Sequence, residues 1–420
     1  MADLNRMKAA LAAELAALGD ATDAEIRGHI TDLILSESRR HYISMDERTR
    51  LAGELFAAVR RLDVLQDYID DPDVTEIMVN GPETIFIEKN GRIEKSPKRF
   101  SSEERLLDVI RRIVGRVNRA VNEKSPIADA RLPDGSRVNA VLPPASIGGP
   151  ILTIRRFPRE PIGMADLLKY GTLTAEAADF LANLVRAGYS ILIGGGTSAG
   201  KTTLLNVLAG CIPPRERLIT IEDNAELQIR GIENLVRLEA RQANMEENAE
   251  ITIRDLVKSS LRMRPDRIIV GEVRGGESLD MLQAMNTGHD GSLTTIHANS
   301  PRDALSRVET TTLMSGMQLP VAAIRQQCAG AFDLIVHTER LRDGSRKIMS
   351  ITEVGQMVGE LIQLQEVFRF VHDGEMRDPD TGKKTVLGHF EATGVNPICC
   401  RKMKDNGAAV DQDWFHVGLR

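Results

Sequence analysis

The stretch Gly195-Gly196-Thr197-Ser198-Ala199-Gly200-Lys201-Thr202, with Thr203 after it, restricts this chain more than any other. It meets the spacing GxxxxGK[ST] at every fixed position, a pattern in which successive backbone N–H groups wrap phosphate oxygens and a Cβ would obstruct the approach. Lys201 can then reach the β and γ phosphates of a nucleotide, and the Thr202 hydroxyl can ligate the Mg²⁺ that bridges them. Residues 195–203 are therefore the candidate ATP-binding segment. The bland alternative is a glycine-rich turn that binds nothing.

Context favours the first reading. Ser190-Ile191-Leu192-Ile193 precedes the loop as an apolar run of strand type, and Leu204, Leu205, Val207 and Leu208 follow at helical spacing. Strand, loop and helix come in the order that such a loop requires.

With 420 residues the chain has room for two or three domains with full cores. No apolar run approaches the roughly 18 residues needed to span a bilayer, so no integral membrane segment is expected. A formal charge of −6 and an aromatic content of 4% argue against nucleic acid as the main partner. Cys211, Cys328, Cys399 and Cys400 show no CxxC spacing and read as reduced thiols. Arg6 and Lys8 before an Ala/Leu-rich stretch imitate an export signal, but Glu14 interrupts the apolar part. A nucleotide site also makes sense only where ATP is, so a cytoplasmic location is expected.

Leu4, Met7, Leu11, Leu15 and Leu18 form a narrow apolar seam on a helix, suited to packing on the next helices, to a coiled coil or to a docking partner. Further helices are predicted over 22–40 and 46–68, giving a helical segment over 1–62. From Asp70 the pattern turns to period two. Ile77 and Val79, then Ile85 and Ile87, alternate with polar residues around turns at Asn80-Gly81-Pro82 and Asn90-Gly91. A helix from Ser101, with Glu104 completing a capping box, carries Leu107, Ile110, Val114 and Val117 on one face. An arginine- and turn-rich stretch over 130–137 leads to strands over 138–142 and 151–157. Residues 63–157 thus read as a small α+β domain, followed by a linker containing Pro158 and Pro161.

From 158 to 420 strands and helices alternate as in a doubly wound sheet. Strands are expected at 191–193, 218–221, 268–270, 293–296 and 334–336. A helix capped by Thr252, with Asp255 at its third position, carries Ile253, Leu256, Val257 and Leu261 on one face. An antiparallel extension is expected at 348–354 and 361–370, with short strands and turns over the last fifty residues.

ATP hydrolysis needs a magnesium-side acid and a group to orient water, usually at neighbouring strand ends. Glu272 directly follows Ile268-Ile269-Val270-Gly271 and takes the first role, with Thr202, as metal ligand. Glu222, after Leu218 to Ile221 and beside Asp223 and Glu226, is the candidate water-activating base. Helix N-terminal capping or a solvated loop is the alternative. His289 and His297 flank the strand 293–296 and are candidates for γ-phosphate sensing or contact with a neighbouring subunit, against ordinary loop histidines or a metal site.

Taken together these stretches become specific. Ile221-Glu222-Asp223-Asn224-Ala225-Glu226-Leu227 resembles the Asp box of the type II/IV secretion ATPase superfamily. Arg264 through Arg274 resembles its atypical Walker B, with the glutamate displaced past a glycine, and Thr287 through Asn299 is similar to its His box. From the helical head to Gly394 the chain most resembles the CpaF/TadA branch, which powers tight-adherence (Flp) pilus assembly. One departure is Gln242 to Glu250, where that branch has glycines.

The resemblance implies a RecA-like α/β domain behind a smaller N-terminal domain, six subunits in a ring, ATP between the two domains of a subunit, and inner-membrane platform proteins as partners. It also implies arginines of the N-terminal domain against the phosphates. By position these are Arg131, Arg137, Arg155 and Arg156, and guanidinium groups suit charge spread over phosphoryl oxygens. A Mg²⁺-dependent ATPase motor for pilus assembly is the expected function. The alternatives are a type IV secretion traffic ATPase for effectors or DNA, a RecA-like DNA translocase, and a scaffold that binds nucleotide without catalysis.

Overall fold

The computed structural model describes residues 23–39, 42–60, 62–89, 91–115, 121–156, 161–241, 250–377, 384–405 and 410–415. The apolar seam from Leu4 to Leu18, Val117, Pro158 and the segment 242–249 lie outside them. The chain divides into two compact units, Met1–Arg159 and Glu160–Arg420.

In the first unit, helices Asp23–Ser38 and Met45–Arg60 pack on each other. Ile26, Ile30 and Ile34 recur every fourth residue, so they share one face and bury against Leu51, Leu55 and Phe56. The helix expected to continue to Tyr68 ends at Arg60 instead. Asp63 adopts a left-handed φ of 51°, which an aspartate tolerates but a helix does not, and its carboxylate pairs with Arg105 at 2.6 Å. A 3-10 turn, Asp63–Leu65, and a short helix, Gln66–Asp70, follow.

The α+β part is a sheet of β1 (Val74–Asn80), β2 (Ile85–Lys89), β3 (Arg92–Lys95), β4 (Ile127–Arg131), β5 (Arg137–Val141) and β6 (Ile151–Arg155) in the order β3-β2-β1-β6-β5-β4. Every neighbouring pair is antiparallel. Helix Glu103–Gly115 covers it with Leu106, Val109, Ile110, Ile113 and Val114. The cap is Ser102, whose hydroxyl accepts from Arg105 N at 3.2 Å, one residue later than the Ser101–Glu104 box expected from the sequence.

The second unit is a nine-stranded sheet. Its strands are β7 (Ile191–Gly195), β8 (Leu218–Glu222), β9 (Leu235–Glu239), β10 (Arg267–Val270), β11 (Leu293–His297), β12 (Leu334–Arg340), β13 (Arg346–Val358), β14 (Leu361–Arg377) and β15 (Lys384–Ala392). Their order is β15-β14-β13-β12-β7-β11-β10-β8-β9, with the six from β12 to β9 parallel and the outer three antiparallel. This is the α/β doubly wound fold expected from the sequence.

Helices cover both faces of the parallel part. Phe180, Leu181, Leu204, Leu205 and Leu208 pack on the face of Ile191 and Ile193, while Val257, Leu282, Val308 and Ile324 pack on the face of Leu192 and Ile268. A strand buried on both faces needs no alternation, which is why the run before the phosphate loop is apolar throughout. Two expectations are corrected. Strand β9 was not anticipated, and the last fifty residues hold long strands, a helix Cys399–Asp405 and a 3-10 turn Gln412–Phe415 rather than short strands. Trp414 and Phe415 close on Phe180 with ring centroids 5.7 and 5.4 Å away.

Candidate nucleotide site

The phosphate loop leaves the sheet at Gly195, and the glycine there answers first to the sheet. A Cβ on Gly195 would lie 2.4 Å from Thr338 O of the adjacent strand β12. Gly196 faces open space instead, and the loop then turns through left-handed Ser198 (φ 59°) and Gly200 (φ 97°) into helix Lys201–Ala209. No side chain caps that helix at Gly200. Its first N–H groups therefore remain for an anion, with the positive end of the helix dipole behind them.

Lys201 is only 8% exposed. Its Nζ donates to Gly196 O at 2.9 Å and lies 3.4 Å from His297 Nδ1, and among the described residues no carboxylate forms an ion pair with it. Burial pulls its pKa below the ordinary lysine value. A buried ammonium without a counter-ion is costly, and a polyphosphate is the anion this loop is shaped to accept.

Because β7, β8, β10 and β11 run parallel, their C-terminal ends share one edge of the sheet. Glu272 follows β10 there, held by Thr295 Oγ1 donating to Gly271 O at 2.7 Å and Val273 N donating to Thr295 O at 3.0 Å. Its Oε1 lies 2.9 Å from His297 Nε2, and its Oε2 accepts from Arg274 Nε at 2.9 Å and Nη2 at 2.5 Å. Arg274 Nη1 reaches Asp223 at 3.6 Å. Lys201, His297, Glu272, Arg274 and Asp223 thus form one chain of polar contacts. Burial first, and the neighbouring Lys201 charge second, push the His297 pKa below the ordinary histidine value, so its neutral ring is favoured.

Glu222 ends β8 and is buried. Its Oε2 accepts from Glu226 N at 2.6 Å and Leu227 N at 2.9 Å, which braces the irregular turn after β8; no helix starts there to be capped. Its Oε1 is buried without a hydrogen-bond partner. Burial raises the Glu222 pKa, against the pull of those two backbone donors. The loop beyond it returns to the phosphate-loop helix, where Gln228 N donates to Asn206 Oδ1 at 2.8 Å.

Within the second unit, one expected site residue does not join this cluster. His289 precedes β11, whose register sets Leu293 opposite Ile191 and His297 opposite Gly195. A strand therefore separates it from the loop, roughly 13 Å of rise, and its Nδ1 lies 3.1 Å from Ala284 O. Arg156 is buried in the first unit, where its Nη1 donates to Tyr68 O, Asp71 O and Val74 O. A guanidinium so engaged is not presented to a phosphate. Arg156→Ala is expected to destabilise the first unit by about 2–4 kcal/mol, because it strands buried carbonyls, and to leave nucleotide affinity unchanged; thermal melting and equilibrium binding measure the two.

Arg131, Arg137 and Arg155 are set in a row. Register pairs Arg131 with Arg137 across β4 and β5, and Arg137 with Arg155 across β5 and β6. Directly paired residues share a face of the sheet.

Two arginines at the second unit's cluster had no role in the sequence argument. Arg274 had a visible signal, since it stands two positions from Glu272. Arg346 had none: its Nε donates to Ser198 O at 2.9 Å across a separation of 148 residues.

Comparison with known proteins agrees with this geometry. A family model described as "Type II/IV secretion system protein" matches residues 60–352. A putative conjugal transfer protein of Mycobacterium tuberculosis is 36% identical over 304 residues, covering 71% of this chain and 86% of that protein. The type IV secretion system protein PtlH of Bordetella pertussis is 33% identical over 302 residues, 66% of this chain and 89% of that one. Among solved structures, the pilus retraction motor PilT with bound ADP superposes with a TM-score of 0.51 at 18% identity, covering 83% of this chain and 86% of that one, a likeness of fold alone. With a phosphate loop, a buried lysine and strand-end carboxylates in place, the chain belongs to the type II/IV secretion system family of ATPases.

Proposed function

We propose that the protein is a Mg²⁺-dependent ATPase motor that powers transfer across the inner membrane by a type IV secretion apparatus. The observation that carries the ATPase part is Lys201, buried beneath an uncapped helix N-terminus with no carboxylate paired to it among the described residues. The names of the relatives, conjugal transfer and type IV secretion proteins, favour the transfer part over pilus assembly. The tight-adherence pilus remains the second reading, supported by the motif resemblance from the helical head to Gly394.

Residues 195–203 wrap the phosphates, and Lys201 neutralises the β and γ oxygens. Thr202 and Glu272 are the residues that would hold a Mg²⁺ ion, which would supply neutralising charge to the phosphate oxygens. Glu222 orients and deprotonates water through its unclaimed Oε1. Neutral His297 links Glu272 to Lys201, so that loss of the γ-phosphate is felt at both. Arg131, Arg137 and Arg155 are the proposed cations for the transferring phosphoryl group. The resemblance suggests six subunits in a ring, in the cytoplasm, docked on membrane platform proteins. Among the described residues no helix is long and apolar enough to cross a membrane, so in this reading the bilayer contact is made through a partner.

Deleting the gene and complementing with wild type or the Lys201→Ala allele tests the assignment. Loss of DNA or effector transfer, restored only by wild type, supports it. Loss of surface filaments with transfer intact selects the pilus reading.

A further inference from the structure

The edge of the sheet beside the phosphate loop carries two arginines outside every motif discussed above. Strand β12 runs parallel to β7, with Thr338 opposite Gly195, and continues to Arg340 after the loop has turned away. Strand β13 begins at Arg346, directly opposite Arg340. Cross-strand partners share a face, and this is the face of Ile348, which packs in the same cluster as Leu204, Leu205 and Leu208 of the phosphate-loop helix. Arg346 leans onto the loop itself: its Nε donates to Ser198 O at 2.9 Å, and its Cδ lies 3.4 Å from where a Cβ on Gly200 would be. Both arginines are exposed, and neither forms an ion pair with a carboxylate among the described residues, whereas nearby Arg342 approaches Glu375 at 3.8 Å.

Two guanidinium groups placed opposite each other repel, and among the described residues neither has a carboxylate ion pair to offset that. One is anchored to the loop by a single N–H, which leaves the other donors of its planar fork for an acceptor. We propose that Arg346, with Arg340 beside it, forms a second phosphate-binding element that closes on the nucleotide's phosphate chain from the side opposite the strand-end carboxylates. The inference rests on the ATPase reading and adds to it a cationic contact supplied by the antiparallel extension.

The test is equilibrium binding of a fluorescent ATP analogue, and of unlabelled inorganic tripolyphosphate by competition, to the full chain and to Arg346→Ala, Arg340→Ala and Arg342→Ala. Arg346→Ala is expected to weaken both ligands by about tenfold, the loss of one charge-assisted hydrogen bond. Arg340→Ala, whose side chain has no hydrogen bond to the loop, should weaken both by a smaller factor, separating charge from loop support. Arg342→Ala should bind as wild type does. Unchanged affinity in Arg346→Ala or Arg340→Ala, or a loss confined to ATP with tripolyphosphate unaffected, overturns the proposal. Failure of the wild-type chain to bind either ligand would instead reject the ATPase reading.

Discussion

Lys201→Ala is expected to reduce ATP turnover by roughly two to three orders of magnitude, the scale seen when a positioned electrostatic stabiliser is removed from a site of charge development. Lys201 is buried at the start of the helix that follows the loop, its ammonium rests on Gly196 O, and among the described residues no carboxylate competes for it. It is therefore a cation kept out of water for an anion that arrives later. The substitution should not unfold the chain, because alanine is the best helix former and removal of a desolvated charge relieves a burial cost. Phosphate release and thermal melting separate these outcomes: loss of turnover with an unchanged or higher melting temperature is expected.

Glu222→Gln is expected to lower turnover by about two to four orders of magnitude while ATP still binds, as removal of a general base does. Glutamine retains an oxygen for the Glu226 and Leu227 N–H groups and so preserves the turn, but it cannot take a proton from water. The wild-type pH profile should carry the same signature. Burial raises the Glu222 pKa, and a base must be ionised to act, so turnover should fall with decreasing pH at a higher pH than an exposed glutamate would set. The stability effect has the opposite sense. A carboxyl whose folded pKa is raised contributes most at low pH and loses that contribution as pH rises through the folded value, and Glu222→Gln should abolish this part of the dependence.

How far the sequence revealed this site depended on how local each signal was. The loop from Gly195 to Thr203 and the acids at 222 and 272 were legible because each lies at the end of an apolar run, and a parallel sheet brings such ends to one edge. His289, expected at the other end of the strand that His297 closes, stands at the edge of the sheet opposite the loop, since a histidine before a strand lies opposite one after it. Arg156 looked like its neighbours Arg131, Arg137 and Arg155, and only the fold shows that three carbonyls converge on it. Strand β9 was obscured because its residues are only half buried at the edge of the sheet, so no continuous apolar run marks it. Gly195 was read as clearance for phosphate, yet the steric demand comes from Thr338, a strand that the sequence does not identify as its neighbour.

Titrating a fluorescent ATP analogue into purified protein with Mg²⁺ present, wild type beside Lys201→Ala, tests the account at its centre. Saturable binding to the wild type that is lost or weakened at least tenfold in the variant is the predicted result, in line with a phosphate held by a charge-assisted contact. Equal binding by the two proteins, or none by either, would contradict it.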